Sequence, residues 1–178
     1  MRVVIIAEAG VNHNGNLKIA KKLVDVAKLA KADYVKFQSF THDKLVTKNA
    51  PKANYQKSNF NTKENQNSML QKLQLSSLDH LKLINYCKDK KINFLSTAFD
   101  IDNLKFLLKN KIDFIKIPSG EITNLPLLKY IKKQKKKILL STGASTLKEV
   151  EQAIKVLNKK KKRYYSFAMQ FSLPNANK

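Results

Sequence analysis

A parallel α/β fold is what this sequence predicts, on three observations. Short runs rich in β-branched and aromatic residues alternate with segments whose apolar residues recur at helical spacing. The short runs are apolar almost throughout, as strands covered on both faces must be. Each run also ends in a small polar motif: residues 7–15 (Ala-Glu-Ala-Gly-Val-Asn-His-Asn-Gly), 36–38 (Lys-Phe-Gln), 96–99 (Ser-Thr-Ala-Phe), 116–121 (Lys-Ile-Pro-Ser-Gly-Glu) and 141–143 (Ser-Thr-Gly). Parallel α/β folds gather their chemistry at the C-terminal ends of strands.

The elements follow in order. Residues 3–8 read as the first strand, closed by a Gly-containing turn. Residues 17–32 form a helix with apolar residues at helical spacing, Leu17, Ala20, Leu23, Val24, Ala27, Leu29 and Ala30, capped by Asn14 or Asn16. The second strand spans 33–40. A polar insert, 41–76, is too long for a simple connector and is predicted to be partly helical near 64–73. A helix at 77–90, capped by Ser76 or Ser77, leads to the third strand at 93–99 and a helix at 101–110. The fourth strand, 114–118, precedes a helix at 126–134 with Pro126 near its first turn. The fifth, 137–142, precedes a helix at 146–158, where Ser145 or Thr146 caps and Glu149 lies in the first turn.

These are five strand–helix units recurring about every 20–35 residues. A doubly wound open sheet and most of a (β/α)8 TIM barrel both fit. Polar motifs at every consecutive strand end favour a partial barrel of the first five to six βα units, because an open sheet concentrates its site near one switch point.

Bulk properties narrow the class. The 178 residues suffice for one domain with a real core. No apolar stretch is long enough for a membrane span, and no signal or transit peptide is evident. Cys87, the sole cysteine, reads as a small core residue, and the cytoplasm is the default compartment. The net charge of +22 invites a nucleic-acid reading, but the basic residues are nearly all Lys, with Arg2 and Arg163 the only arginines, and they spread over all the helices. Specific nucleic-acid readers use Arg forks and stacked aromatics, so nucleic acid is not the expected partner. A positive field that concentrates anionic substrates is the milder inference.

Lys36 and Lys116 are embedded in otherwise apolar strands, where an ammonium must snorkel or meet an anion. Two such groups converging on one barrel mouth would suit a phosphate. Ser96-Thr97, Ser119 and Ser141-Thr142-Gly143 add hydroxyls and small residues through which backbone N–H groups can approach an anion. Glu8 and Glu121 are strand-end carboxylates able to orient a sugar hydroxyl or act as acid or base. Gln38 shares a strand face with Lys36. Asn12 and His13 lie in the first turn; His13 lacks metal-ligand partners at a useful spacing, which favours a structural or substrate-contact role. No motif surrounds His42 or His80.

With these motifs in place, the chain resembles the sialic acid synthase family from about residue 3 to 157. Residues 51–57 and 69–76 are most similar to the bacterial legionaminic acid synthases within it. The resemblance implies a (β/α)8 barrel followed by a small antifreeze-like domain, in a homodimer. It implies a phosphoenolpyruvate site including Lys36, Thr97, Lys116, Ser119 and Ser141, with Glu8, Gln38 and Glu121 near the N-acetylated hexose or the reacting centre. It further implies a divalent metal, manganese or magnesium, that polarises the open-chain aldehyde. The enol carbon attacks that aldehyde, water adds to the resulting oxocarbenium-like centre, and phosphate leaves. Ala98 departs from the family's usual Pro, which bears on loop rigidity.

The family pattern breaks near Lys159. A sixth strand ending in a Cys-X-Ser-X-Tyr-Pro-Thr-Pro type motif is expected, but residues 164–178 do not supply it. One synonymous back-translation of that stretch, read one nucleotide later, encodes Ile-Thr-Leu-Leu-Gln-Cys-Asn-Ser-Leu-Tyr-Pro-Thr-Pro-Ile. The expectation is therefore that residues 1–158 are the N-terminal part of a barrel synthase and 159–178 a frameshifted tail. The later strands, the metal-ligating histidines and the antifreeze-like domain would be missing, and the chain would bind phosphoenolpyruvate weakly or not at all, turn nothing over and tend to aggregate. The alternatives are another barrel lyase or aldolase acting on phosphorylated substrates, and a Lys-rich nucleic-acid-binding module.

Overall fold

Strand and helix alternate along the chain as the periodicity predicts. The computed structural model describes residues 3–51, 65–157 and 164–167, in two compact units, Met1–Ile112 and Asp113–Lys178. The first unit holds β1 (Ile6–Gly10), α1 (Leu17–Leu29), β2 (Tyr34–Ser39), α2 (His42–Leu45), α3 (Gln66–Leu73), α4 (Ser77–Asp89), β3 (Asn93–Ala98) and α5 (Ile101–Lys109). The second holds β4 (Phe114–Ile117), a 3-10 turn (Ser119–Glu121), α6 (Leu125–Lys132), β5 (Lys137–Ser141), α7 (Leu147–Leu157) and β6 (Tyr164–Phe167). Paired strands are parallel and in sequence order: β1 with β2 and β2 with β3 in the first unit, β4 with β5 and β5 with β6 in the second. This is the expected α/β class. Of the predicted frameshifted tail, only the backbone of β6 lies within the described residues. Of the insert, 52–64 lies outside them, while α3 fulfils the helix expected near 64–73.

The first unit's core forms where α1 and α4 lay their apolar stripes against β1–β3. Ala20, Val24 and Ala27 of α1 and Leu83 and Cys87 of α4 close over Val35 and Phe37. Val24, Leu83 and Phe37 are fully excluded from water, each contributing about 1.5–3 kcal/mol on burial. Cys87 is the core residue expected of it, and burial pushes its thiol up to about 12. Packed against the edge of this core, Tyr86 of α4 donates to both oxygens of Asp25 on α1, and Lys90 pairs with the same carboxylate at 3.0 Å.

Helix starts obey local chemistry. Asn16 caps α1 by accepting from the N–H groups of Lys18 and Ile19, and Ser76 caps α4 through Asp79 N–H. Thr146 and Glu149 form a reciprocal capping box, Thr146 N–H to Glu149 Oε2 at 2.7 Å and Glu149 N–H to Thr146 Oγ1 at 3.3 Å.

Two boundaries differ from the sequence expectation by three residues. Pairing of β1 begins at Ile6, and Val3, Val4 and Ile5 are half or more exposed, so the start of that apolar run is not core among the described residues. The first helix stops at Leu29 because Lys31 enters the left-handed region at φ 58°. Lys31 N–H then bonds Lys28 C=O and Ala32 N–H bonds Ala27 C=O, the paired bonds of a Schellman motif. Lys91 repeats this (φ 54°), with Lys91 N–H on Lys88 C=O and Ile92 N–H on Cys87 C=O. Lys111 (φ 59°) ends α5 with its N–H on Leu108 C=O. A side chain in this region costs about 1–2 kcal/mol. Lys31→Gly and Lys91→Gly are each expected to stabilise by about 0.5–1 kcal/mol, net of glycine's added entropy in the unfolded chain. Chemical denaturation of the two variants beside the parent checks this, with a raised midpoint at unchanged slope expected.

Candidate functional site

The strand alternation that buries Val35, Phe37 and Ser39 against helices puts Lys36 and Gln38 on the other face of β2. A register shift between Glu8 and Gly10 ends β1, with Glu8 opposite Lys36. Lys36, whose side chain is 12% exposed, is met by Glu8 Oε2 at 2.5 Å and lies 3.5 Å from Thr97 Oγ1. Gly10 adopts φ +53°, and a Cβ there would lie 3.3 Å from Glu8 Oε1 and 3.7 Å from Gln38 Nε2. Glu8, Lys36, Gln38 and Thr97 are therefore one polar cluster at the C-terminal ends of β1–β3, closed over a residue that conformation and space both favour as glycine.

The turn after β1 is tightly built. Gly15 has φ +71°, and a Cβ there would fall 2.1 Å from the Lys72 carbonyl, so the turn seats directly on the end of α3. Gly15 N–H donates to His13 Nδ1 at 3.0 Å, which leaves the ring proton on Nε2. That nitrogen is buried and has no hydrogen-bond partner among the described residues. The ring is 1% exposed and lies 6.0 Å from the Phe37 ring. Of the two roles expected for His13, this geometry supports the structural one. Asn12 is exposed on the turn, its N–H on Ala9 C=O.

The second unit carries a matching pair. Lys116 Nζ donates to Ser141 Oγ at 2.6 Å and to Ile117 C=O at 2.9 Å, and Ser141 is 3% exposed. After Pro118 the chain winds through Ser119–Glu121. Asn124, which caps α6 by accepting from Leu127 N–H, donates its Nδ2 to Glu121 Oε2 at 2.6 Å. A Cβ on the exposed Gly120 would meet nothing within 4 Å, so protein packing does not demand a glycine beside Ser119 and Glu121.

A third polar group was not expected as a group, and it corrects one expectation: Ser96, grouped with Thr97 as an anion-site hydroxyl, lies on the helix side of the sheet. Behind β2, on its helix side, Ser39 Oγ lies 2.7 Å from Ser96 Oγ and 3.0 Å from His80 Nε2, and His80 Nδ1 lies 3.0 Å from the Ser76 carbonyl. All three side chains are buried. The available signals were Ser39 breaking an apolar alternation, and His80 in the apolar stripe with Leu83, Ile84 and Cys87. His42, also unremarkable in sequence, joins two short helices through its N–H on Gln74 Oε1 and its Nδ1 near Asn67.

Among the described residues, no three His, Cys, Asp or Glu side chains are grouped to hold a metal ion. His80 spends both ring nitrogens on protein partners, and His13 Nδ1 is occupied by a backbone N–H. The described residues therefore do not fit a divalent metal.

Burial, helped by nearby His80, pushes His13 from its ordinary 6.5 down to about 4. Burial also holds His80 below 6.5, against the opposing pull of the Ser76 and Gln38 carbonyls. Both rings are neutral in the folded protein near neutral pH, while the unfolded chain binds their protons at about 6.5. Stability is thus expected to fall as pH drops from 6.5 towards about 4. Thermal melts across that window check this; His13→Gln should flatten the dependence.

With this geometry established, comparison with known proteins is informative. Residues 23–169 match the NeuB family. The chain is 49% identical to the N,N'-diacetyllegionaminic acid synthase of Campylobacter jejuni, over 89% of this chain and 47% of that protein. It is 47% identical to the enzyme of the same name from Legionella pneumophila, over 86% of this chain and 43% of that one. The chain thus spans about half the length of the curated relatives it matches. The crystal structure of the N-acetylneuraminic acid synthetase from Leptospira borgpetersenii superposes with a TM-score of 0.81 at 28% identity, covering 98% of this chain and 57% of that one. The sequence motifs, the parallel strand–helix units and these likenesses agree: the chain belongs to the NeuB family.

Proposed function

We propose that this chain carries the phosphoenolpyruvate-binding part of a nonulosonic acid synthase of the sialic or legionaminic type, a cytoplasmic biosynthetic role. The single observation behind this reading is the repeated pairing of a strand-embedded lysine with a hydroxyl: Lys36 beside Thr97, and Lys116 on Ser141. An ammonium and a hydroxyl side by side offer an oxyanion both charge and donors, and charge-assisted bonds of this kind are about twice as strong as neutral ones. Ser119 and the open backbone at Gly120 add a place where phosphate or carboxylate oxygens can approach closely.

Glu8 and Gln38 are proposed to contact the N-acetylated hexose, N-acetylmannosamine or a 2,4-diacetamido-2,4,6-trideoxymannose type. Glu121, oriented by Asn124, is proposed as the carboxylate nearest the reacting centre. The metal that the family resemblance implies would polarise the aldehyde, and the described residues do not fit it. Both lysine nitrogens donate to oxygen acceptors, a setting in which an anion's oxygens can bond alongside.

Calorimetric titration of the full chain with phosphoenolpyruvate and, separately, inorganic phosphate tests the proposal. Lys36→Met and Lys116→Met should each weaken phosphoenolpyruvate binding by about 10–150-fold, the loss of a hydrogen bond to a charged group. Thr97→Val should cost about 2–10-fold. Gly120→Ala should leave the melting temperature unchanged and weaken binding. Binding that survives both lysine substitutions, or a parent that does not bind phosphoenolpyruvate, would overturn the reading.

A further inference from the structure

One proton arrangement makes each contact of the buried hydroxyl–imidazole chain behind β2 a hydrogen bond. Ser76 C=O can only accept, so His80 Nδ1 carries the ring proton and donates to it at 3.0 Å. His80 is neutral, so Nε2 is an acceptor and Ser39 Oγ–H donates to it at 3.0 Å. Ser39 Oγ then accepts from Ser96 Oγ–H at 2.7 Å. The chain runs Ser96 to Ser39 to His80 to Ser76, joining β3, β2 and the cap of α4. Ser39, Ser96 and His80 are 0%, 1% and 3% exposed. A serine within hydrogen-bond reach of an imidazole resembles a nucleophile and its base, but no solvent reaches this one.

Its position suggests its use. Ser39 follows Gln38 and Ser96 precedes Thr97, and Gln38 lies opposite Thr97 in the β2–β3 register. The Gln38 carbonyl also acts on the His80 ring. One peptide unit therefore separates each buried hydroxyl from a residue of the polar cluster on the opposite face. Phe99 N–H bonds Ser39 C=O at 3.2 Å, closing the same two strand ends beyond the ladder. The neighbouring helix-side positions, Val35, Phe37 and Ala98, are apolar and buried. Apolar groups of similar size at 39, 80 and 96 would leave no polar atom to satisfy, and such replacements are often neutral or stabilising. The chain of bonds is thus not needed for burial. What it supplies is direction, since a hydrogen bond fixes strand ends that apolar packing leaves free to shift.

We propose that His80, with Ser39 and Ser96, is a positioning relay: it anchors the C-terminal ends of β2 and β3 from the helix side and so holds Lys36, Gln38 and Thr97 in the geometry that binds the phosphorylated substrate. The substrate half of this statement rests on the function proposed above; the anchoring half does not.

Native-state amide hydrogen exchange and phosphoenolpyruvate titration of the full chain test it together. Three variants are compared with the parent: Ser39→Ala/His80→Leu/Ser96→Ala, which empties the site of polar groups; His80→Leu, which leaves the two serine hydroxyls only each other; and His80→Gln, which retains a donor and an acceptor. The triple variant is expected to melt within a few degrees of the parent. Its Gln38, Thr97 and Phe99 amides should exchange at least tenfold faster, while Val35 and Leu95, in the same strands, keep their protection. Phosphoenolpyruvate affinity should fall about tenfold, and His80→Gln should recover most of both effects. A uniform change along β2 and β3, or unchanged exchange at 38, 97 and 99, would overturn the relay whatever the ligand does. If the exchange pattern appears but the parent does not bind phosphoenolpyruvate, the relay stands as an anchor and the substrate reading falls.

Discussion

An ammonium group set into an apolar strand must be met by oxygen, and the first unit is arranged around meeting Lys36. Its side chain is 12% exposed, so water cannot do the work alone. Glu8 reaches it because β1 breaks register before Gly10, and the break is possible because Gly10 can hold φ +53°. Thr97 reaches it because β2 and β3 run parallel in a register that faces Gln38 with Thr97. In the second unit the same requirement is met differently: Lys116 turns to the hydroxyl of Ser141 and the carbonyl of Ile117. A carboxylate partner in one unit and a hydroxyl in the other leave the two ammoniums with different competition for an incoming anion. Glu8 opposes anion binding at Lys36 by Coulomb attraction to the lysine, whereas Ser141 carries no charge and can bond alongside a phosphate oxygen.

Much of this was legible because the anomalies are local. A lysine in the run Tyr-Val-Lys-Phe or Phe-Ile-Lys-Ile stands out against its own neighbours. Asn16, Ser76 and Thr146 with Glu149 announce helix starts through contacts no more than three residues away. The strand-end motifs could likewise be found by period and composition alone. The relay could not. Ser39 is 57 residues from Ser96 and 41 from His80, and nothing in any one segment shows that the three meet. Only the pairing of β2 with β3 and the packing of α4 across them bring these groups together. The left-handed lysines were hidden for another reason: lysine gives no compositional sign of positive φ. What marks Lys31, Lys91 and Lys111 is their shared place, one residue before the buried Ile92 and Ile112 and before Ala32, where the chain must reverse from helix to strand.

The same comparison explains the apolar stretch before β1. Val3, Val4 and Ile5 carry the β-branched signature of a buried strand, yet stand half or more exposed among the described residues. Ile5 is tied down by its backbone alone, its N–H on Asp33 Oδ2 and its carbonyl accepting from Asp33 and Tyr34. Propensity describes what a segment is suited to, while burial depends on what packs against it.

Register connects the two faces of β2. Side chains alternate with period two, so a slip of one residue would carry Lys36 and Gln38 to the helix side and bring Phe37 and Ser39 to the polar face. Hydrophobicity penalises that slip through Phe37, which stacks on Phe94 at 5.9 Å between ring centres. A slip of two residues keeps every apolar residue on its proper side, and hydrophobicity opposes it far less. It would, however, separate Ser39 from both Ser96 and His80, leaving buried hydroxyl and imidazole groups without partners at a cost of about 1–3 kcal/mol each. Hydrogen bonds behind the sheet thus discriminate against the error that apolar packing tolerates. The position of Lys36 relative to Glu8 and Thr97 is set from the side of the strand that no ligand can touch.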